Sequence, residues 1–227
     1  PKVGPVLAKR LVSYTGSPKS LFEESSSKLL KIPNIGKNII KHLKDPAIFE
    51  QVEQELRFIE KYQIQVLFYL DPGYPSRLAH CEDSPVLLYV KGELNLSEYK
   101  ALSIVGTRKP TDRGLRVCQN LVADLAKHNK DLVVISGLAY GIDICAHKAA
   151  LESNLRTIAV LGHGLDTLYP SIHRKTAEKV TRQGALVTEF ASQTAFIRSN
   201  FVSRNRIIAG LADATVIIES AETGGAL

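Results

Sequence analysis

The stretch LVVISGLAYGID, residues 132–143, predicts the turn from a buried strand into a helix around which the fold is organised. Its first four residues are apolar and mostly β-branched, which is typical of a parallel strand buried on both faces. Ser136 and Gly137 end the strand, Gly141 follows, and a helical pattern runs over residues 142–152. Backbone N–H groups at such a turn suit an anionic ligand. A tight connection without any ligand is the alternative.

Strand and helix patterns alternate on both sides of this stretch. We expect further strands at residues 101–105, 157–161, 185–189 and 214–219, and helices at residues 114–127, 172–183 and 202–211. This regular alternation predicts an α/β fold with a doubly wound parallel sheet. In such sheets, ligands bind outside the carboxyl ends of the strands. Residues 64–68 and 86–90 are candidates for additional strands at the edge of this sheet.

The chain divides into a small all-helical domain, residues 1–62, and a main domain, residues 63–227. Within the first, residues 29–40 resemble a helix-hairpin-helix, a motif whose hairpin offers backbone N–H groups to a DNA phosphate. Asn34 stands where the first glycine of the hairpin is usual, and asparagine tolerates a positive φ. A purely structural helical module is the alternative for this region.

Composition narrows the classes of protein that fit. A hydrophobic content of 44% supports a packed core, and a formal net charge of +6 is compatible with a polyanionic partner. Cys81, Cys118 and Cys145 have no C-x-x-C spacing, which disfavours disulfides and zinc clusters and indicates a reducing cytoplasm. We expect no membrane segment, because no apolar run has the length of a membrane span, and no signal peptide, because the sequence does not show the pattern of one.

The two ends of the chain indicate that it is incomplete. It contains no methionine, even at its first position. Its last residues, Gly224-Gly225-Ala226-Leu227, are typical of the opening of a helix. We therefore expect a fragment whose main domain is truncated at the carboxyl end.

Candidate ligand groups follow the expected strands at one edge of the sheet. The loop after the first of these strands carries Gly106, Thr107, Arg108 and Lys109. That loop is not a G-x-G-x-x-G motif, and the next strand ends in Ser136-Gly137 rather than in a carboxylate that would hold a ribose. A dinucleotide is therefore disfavoured, and we expect no cofactor.

The segment over residues 190–211 contains no acidic residue. It contains three arginines, Arg198, Arg204 and Arg206, with Phe196 and Phe201 interleaved among them. We expect Ser203 to cap a helix that begins with Arg204-Asn205-Arg206, and arginines at the start of a helix form an anion site. Arginines beside aromatic rings are also typical of single-stranded nucleic-acid sites. The alternative is a solvated basic loop whose phenylalanines pack into the core.

Four acidic residues share the same edge: Asp143, Asp166, Glu189 and Glu219. Such carboxylates can hold a metal or act as general acid and base. We prefer the alternative, in which they cap helices and orient the arginines. His147 and His163 have no partner at metal-ligand spacing, so we expect neither a metal site nor catalysis.

Five motifs stand in order along the chain: IVGTRKPT, VISGLAYGID, IAVLGHGLDTLYP, GALVTEF and NFVSRNRIIAGLADATVIIESAETGGAL. Together they resemble the DprA/Smf family of DNA-processing proteins, over essentially the whole chain. The resemblance implies an extended Rossmann-like domain behind a small helical, SAM-like domain. It also implies a protein of natural transformation that binds and protects single-stranded DNA and helps to load the RecA recombinase. The resemblance implies neither catalysis nor a cofactor. It also implies a homodimer that forms through the Rossmann-like domain.

The family's DNA-contacting positions fall on particular residues of this chain. By position, Arg108, with Gly106, Thr107 and Lys109 around it, and the Ser136-Gly137 turn would hold DNA phosphates. Arg198 would do likewise, and Arg204, Asn205 and Arg206 would complete the pocket. Tyr140 stands where many relatives carry a basic residue, so it would replace a phosphate contact by stacking.

An enzyme is the rival interpretation, namely a nucleotide N-glycosidase of the related lysine-decarboxylase-like, LOG-type fold. That family needs a PGGxGTxxE-type segment after the corresponding strand, whereas this chain reads ESAETGGAL over residues 219–227. No glutamate follows the glycines of this segment before Leu227, so the enzyme interpretation lacks its catalytic acid unless the truncation hides it. A structural partner protein that binds no DNA is the third candidate.

Overall fold

Within residues 3–93, 95–96 and 99–220, which the computed structural model of the chain describes, five helices precede the first strand. They are α1 (Pro5–Thr15), α2 (Pro18–Glu23), α3 (Ser26–Leu29), α4 (Lys37–Leu43) and α5 (Ala47–Lys61). Leu11, Leu29 and Ile40 belong to a hydrophobic cluster that these helices share. The division of the chain into two domains at residues 62 and 63 stays a prediction.

The hairpin between α3 and α4 has the turn that the sequence predicts. Asn34 adopts a φ of +67°, a left-handed conformation that asparagine reaches more easily than most residues do. The helix before the hairpin is short, however, because α3 is a single turn of four residues. This hairpin therefore keeps the expected bend with only one turn of helix ahead of it.

Seven strands and six α-helices follow in the described part of the chain. They are β1 (Gln65–Phe68), α6 (Ser76–Ala79), β2 (Leu87–Gly92), β3 (Lys100–Gly106), α7 (Asp112–His128), β4 (Leu132–Ser136), α8 (Ile142–Glu152), β5 (Arg156–Val160), α9 (Arg174–Gln183), β6 (Ala185–Thr188), α10 (Arg198–Ser203), α11 (Asn205–Gly210) and β7 (Ala214–Ile218). No helix in these described ranges is long and apolar enough to cross a membrane.

The strands form one sheet in the order β1-β2-β6-β5-β4-β3-β7. Its five strands from β6 to β7 are parallel, as predicted, and β2 and β1 extend it as an antiparallel edge. The order of the parallel strands reverses at β3, which has β4 on one side and β7 on the other. Parallel α/β sheets bind ligands at such a reversal, at the carboxyl ends of the strands.

The central strand β4 is buried along its whole length. On one face of the sheet, Val134 packs with Cys118 and Val122 of α7. On the other face, Val133 and Ile135 pack with Ile207 and Ile208 of α11. Burial on both faces explains the uninterrupted apolar run of this strand.

The predicted helix over residues 202–211 is wrong in one respect. The structure has two short helices, α10 and α11, which meet at Arg204. Ser203 is the last residue of α10, so it does not cap the second helix. The Arg204 guanidinium points into the protein and donates to Val160 O (2.5 Å), which no pattern along the chain could indicate.

Candidate nucleic-acid interface

A cavity of about 440 Å³ lies where the strand order reverses. Its walls come from the loops after β3, β4 and β7 and from α10 and α11. The predicted site residues that line it are Gly106, Thr107, Arg108, Lys109, Arg198, Arg204 and Asn205. We call this cavity the strand-tip pocket. Residues as far apart in the sequence as Gly106 and Asn205 thus converge on one site, as the fold rule for parallel sheets predicts.

The loop that carries Arg108 and Lys109 is held at both ends. At its start, Thr107 N donates to Glu219 O (3.1 Å), and Thr107 O accepts from Ile142 N (3.1 Å) at the start of α8. At its end, Thr111 N donates to the Glu219 carboxylate (2.8 Å). Arg108 and Lys109 are exposed between these anchors, so their charges face solvent from a fixed loop.

Arg204 forms the floor of the strand-tip pocket and is only 3% exposed. Its guanidinium lies so close to Gly137 that a Cβ there would collide with it, which explains the glycine at this position. Asp143, 6% exposed, faces Arg204 as its electrostatic partner. Burial raises the pKa of the Asp143 carboxyl, and Arg204 and the backbone N–H groups of Ala139 and Gly137 oppose that rise. Burial likewise lowers the pKa of Arg204, and Asp143 opposes it.

Ser136 and Gly137 lie behind this arginine rather than at the surface of the strand-tip pocket. The Ser136 hydroxyl is fully buried and donates to Ile104 O (2.6 Å), which joins β4 to β3. Gly137 leaves room for the Arg204 guanidinium. The turn therefore shapes the pocket from beneath, and neither residue is among those that line it.

Arg206 is not among the residues that line the strand-tip pocket, in contrast to Arg198 and Arg204. Its guanidinium donates to Glu189 Oε2 (2.5 Å) and lies 3.5 Å from Asp83 Oδ2. It lines a separate cavity of about 510 Å³ together with Arg10 of α1. Burial raises the pKa of Glu189, and Arg206 opposes that rise. Arg206 is thus held between two carboxylates, away from Arg108.

The acidic residues of this edge act as anchors, which is the interpretation preferred from the sequence. Glu219 accepts from the Thr111 backbone, and Glu189 pairs with Arg206. Asp166 accepts from Gln193 N (3.1 Å). Among the residues that the structure describes, no group of three His, Cys, Asp or Glu could hold a metal ion.

Three aromatic rings pack beside the strand-tip pocket: Tyr169, Phe196 and Phe201, which we call the aromatic cluster. Phe201 lines the pocket, and the Phe196 ring lies 5.0 Å from it between centroids. The Tyr169 ring lies 4.9 Å from that of Phe196. Phe196 is 53% exposed and Tyr169 47%, so the cluster faces solvent. Sequence reasoning named the two phenylalanines and missed Tyr169, which comes from the loop after β5.

Tyr140 stands apart from this cluster. It is 45% exposed, and its ring packs edge-on against His173 with centroids 5.3 Å apart. It is not among the residues that line the strand-tip pocket. Its predicted stacking role therefore stays a prediction for a position beside the pocket.

The family model described as DNA recombination-mediator protein A matches residues 65–227. Protein Smf from Synechocystis is 36% identical over 234 residues, which cover 99% of this chain and 57% of that protein. DNA processing protein DprA from Streptococcus pneumoniae is 30% identical over 218 residues, or 89% of this chain and 76% of that protein. The chain therefore spans between about half and three quarters of the length of these relatives.

Two solved structures extend the comparison to the fold. The X-ray structure of DNA processing protein A from Streptococcus pneumoniae superposes with a TM-score of 0.79 at 28% identity, covering 99% of this chain and 76% of that one. DNA processing protein A from Helicobacter pylori superposes with a TM-score of 0.64, also at 28% identity, covering 72% and 73% of the two chains. The latter structure is described for its mode of single-stranded DNA binding.

Proposed function

Because this chain belongs to the DNA recombination-mediator protein A family, we propose that it binds single-stranded DNA at the strand-tip pocket. The observation that carries this proposal is the convergence of Arg108, Lys109 and Arg198 on one cavity beside exposed aromatic rings. Cations that clamp phosphates and rings that stack on bases are the two features that single-stranded nucleic acid requires.

In the proposed mechanism, the exposed arginines and the lysine bind phosphate oxygens through charge-assisted hydrogen bonds. The charge of buried Arg204 is opposed by that of Asp143, so the exposed cations supply the positive potential, and Gly106 and Thr107 line the pocket beside them. Bases then stack on Phe196 or Tyr169. Because neither phosphates nor ring faces identify a base, sequence preference is weak.

The remaining predicted residues support the site in this proposal. Ser136 and Gly137 hold β4 and Arg204 in register beneath the pocket. Asn205, which follows Arg204 in the sequence, contributes a polar side chain to the lining of the pocket. Arg206 stabilises the segment through Glu189 instead of touching DNA at this pocket.

The biological role that we propose is the protection of incoming single strands during natural transformation and their delivery to the RecA recombinase. The family's description as a recombination mediator supports this role. The activity would belong to the cytoplasm, in agreement with the free cysteines Cys81, Cys118 and Cys145. An assay of RecA filament assembly on single-stranded DNA tests it, since the protein should accelerate assembly.

We also propose that the protein acts as a non-enzymatic homodimer through its Rossmann-like domain. The Helicobacter pylori relative is described for its mode of single-stranded DNA binding, which supports a binding role. The segment that would complete an N-glycosidase site, residues 221–227, lies outside the described residues. Release of free base from a nucleoside monophosphate would overturn the non-enzymatic proposal, and light scattering measures the oligomeric state.

The first experiment is fluorescence anisotropy with labelled single-stranded and duplex oligonucleotides across a range of salt concentrations. We expect a preference for the single strand and about tenfold weaker binding for Arg108→Ala and for Arg198→Ala. The log–log salt slope should become shallower by roughly 0.7 for each phosphate that a variant no longer binds. Arg182→Ala is the matched control, because it removes the same exposed charge from the last turn of α9. Binding that neither pocket variant changes would place the DNA elsewhere.

A further inference from the structure

A second basic and aromatic surface lies outside the strand-tip pocket, where the end of α5 meets β2 and the loop after β5. It is a cavity of about 390 Å³ whose lining includes Arg57, Phe58, Lys61, Tyr62, Lys91 and Asp166. We call it the α5 groove. Its residues come from both the helical region and the sheet, and the proposed function makes no use of them.

Two ammonium groups share one aromatic ring in this groove. Lys61 Nζ lies 5.3 Å and Lys91 Nζ 5.4 Å from the centroid of the Tyr62 ring. In the part of the chain that the structure describes, neither lysine is paired with a carboxylate. Two cations without carboxylate partners beside one exposed ring offer both charge and a stacking surface to an anionic, aromatic ligand.

Other residues of the α5 groove are also aromatic or basic. The Phe58 and Tyr62 rings pack with centroids 4.8 Å apart, and Tyr62 is 43% exposed. Arg57 adds a third cation, partly compensated by Glu53 at 3.9 Å. Asp166 also borders the groove, but its carboxylate accepts a hydrogen bond from Gln193 N. Cations that surround exposed rings match the composition of a single-strand binding surface.

The aromatic cluster joins the α5 groove to the strand-tip pocket. Asp166 of the groove and Tyr169 of the cluster stand on the same loop, three residues apart. Tyr169 contacts Phe196, which in turn contacts Phe201 in the pocket. The loop after β5 therefore borders the α5 groove at Asp166 and reaches the aromatic cluster of the strand-tip pocket at Tyr169.

We propose that the α5 groove is a second contact site for the same DNA strand. A strand held by Arg108 and Arg198 continues over the aromatic cluster, and its next phosphates bind Lys61 and Lys91 beside Tyr62. This inference rests on the proposed function of the strand-tip pocket. It assigns the end of α5 a direct role in DNA binding and makes the binding site longer than the pocket alone.

The test compares two lengths of oligonucleotide, about 8 and about 20 nucleotides, of which the first is within and the second beyond the roughly 4–16 nucleotides that one single-strand binding module covers. The variants are Lys61→Gln/Lys91→Gln and Tyr62→Ala. The control is Lys127→Gln/Lys130→Gln, which removes the same two charges from an exposed position near the end of α7. Arg108→Ala reports on the strand-tip pocket in parallel.

We expect both groove variants to weaken binding of the long oligonucleotide about fivefold or more, the effect typical of losing one stacked base or clamp. The short oligonucleotide should bind to them as it binds to the unmodified protein, and the control should change neither length. No loss with the long oligonucleotide, or an equal loss with both lengths, would overturn the groove proposal; the first result would leave an acidic protein segment as the candidate occupant. Failure of the pocket proposal is seen separately, as unchanged binding in Arg108→Ala.

Discussion

Arginine serves three different purposes in the segment that follows β6. Arg198 is exposed at the rim of the strand-tip pocket, where its charge is available to a ligand. Arg204 is buried beneath the same pocket, where it donates to Val160 O and where the charge of Asp143 favours its charged form. Arg206 is held by Glu189 on another side of the protein. Removing each charge should therefore have a different effect on stability and on DNA binding.

For a single buried charge, we predict that Arg204→Met lowers the free energy of unfolding by about 3 kcal/mol, because it leaves the buried Asp143 carboxylate without its partner. Urea denaturation at neutral pH measures the change. The double variant Asp143→Asn/Arg204→Met should recover part of the loss, since it removes both charges. Arg198→Ala is the matched control and should change stability by less than about 0.5 kcal/mol. An Arg204→Met protein as stable as the unmodified one would contradict this account.

Among the secondary-structure elements, α8 is joined to the sheet by His147. This residue is fully buried, and its Nδ1–H donates to Thr157 Oγ1 (2.7 Å) on β5. The Thr157 hydroxyl in turn donates to Val134 O (2.8 Å) on β4. Burial lowers the pKa of His147 to about 3, and the charges of Arg204 and His173 act in the same direction. The ring is therefore neutral in the folded protein at neutral pH.

This shift predicts a pH dependence of stability. Between pH 6.5 and about 3 the unfolded chain binds a proton at His147 that the folded protein excludes, so stability falls as the pH falls through this window. The contribution of this residue is about 1.4 kcal/mol per pH unit. His147→Asn keeps a donor near the Nδ1 position but cannot titrate, so its unfolding free energy should decline less steeply from pH 7 to 5. His42→Asn, at an exposed site on α4, is the control. Parallel pH profiles for His147→Asn and the unmodified protein would contradict the prediction.

Across the whole molecule, the helical region and the sheet are joined by polar contacts. Glu55 of α5 accepts hydrogen bonds from Ser192 N (3.0 Å) and from the Ser192 hydroxyl (2.5 Å), 137 positions away along the chain. Lys9 of α1 donates to Ser84 Oγ (2.5 Å). Ser192 begins the loop that leads to Phe196 and Arg198, so the helical region positions part of the strand-tip pocket.

We predict that Glu55→Gln loosens this loop, because an amide offers one acceptor oxygen where the carboxylate offers two charged ones. Hydrogen exchange should become faster over residues 190–198, and the free energy of local opening should fall by about 1–2 kcal/mol. Glu50→Gln, at an exposed site in the first turn of the same helix, should leave exchange in the loop unchanged. Identical exchange in the two variants would mean that Glu55 does not hold the loop.

Features that depend on neighbouring residues could be predicted from the amino-acid sequence. The β-branched run at residues 132–135 predicted the buried strand β4, and the regular alternation predicted the parallel sheet and the edge that forms the site. Asn34 predicted a left-handed turn that the structure confirms. Periodicity, glycine positions and turn residues act over a few positions, so they can be read directly from the chain.

Which charges face a ligand depends instead on the folded arrangement. Arg204 turns inward because Val160, 44 positions earlier, offers it a carbonyl and because Gly137 leaves space for its guanidinium. The same tertiary packing pairs Arg206 with Glu189 and brings Tyr169 against Phe196. The environment of a charged or aromatic side chain is set by groups that are distant in sequence and close in space. The local sequence pattern therefore identifies the candidate residues, and the tertiary structure decides which of them can contact a ligand and which are buried or paired.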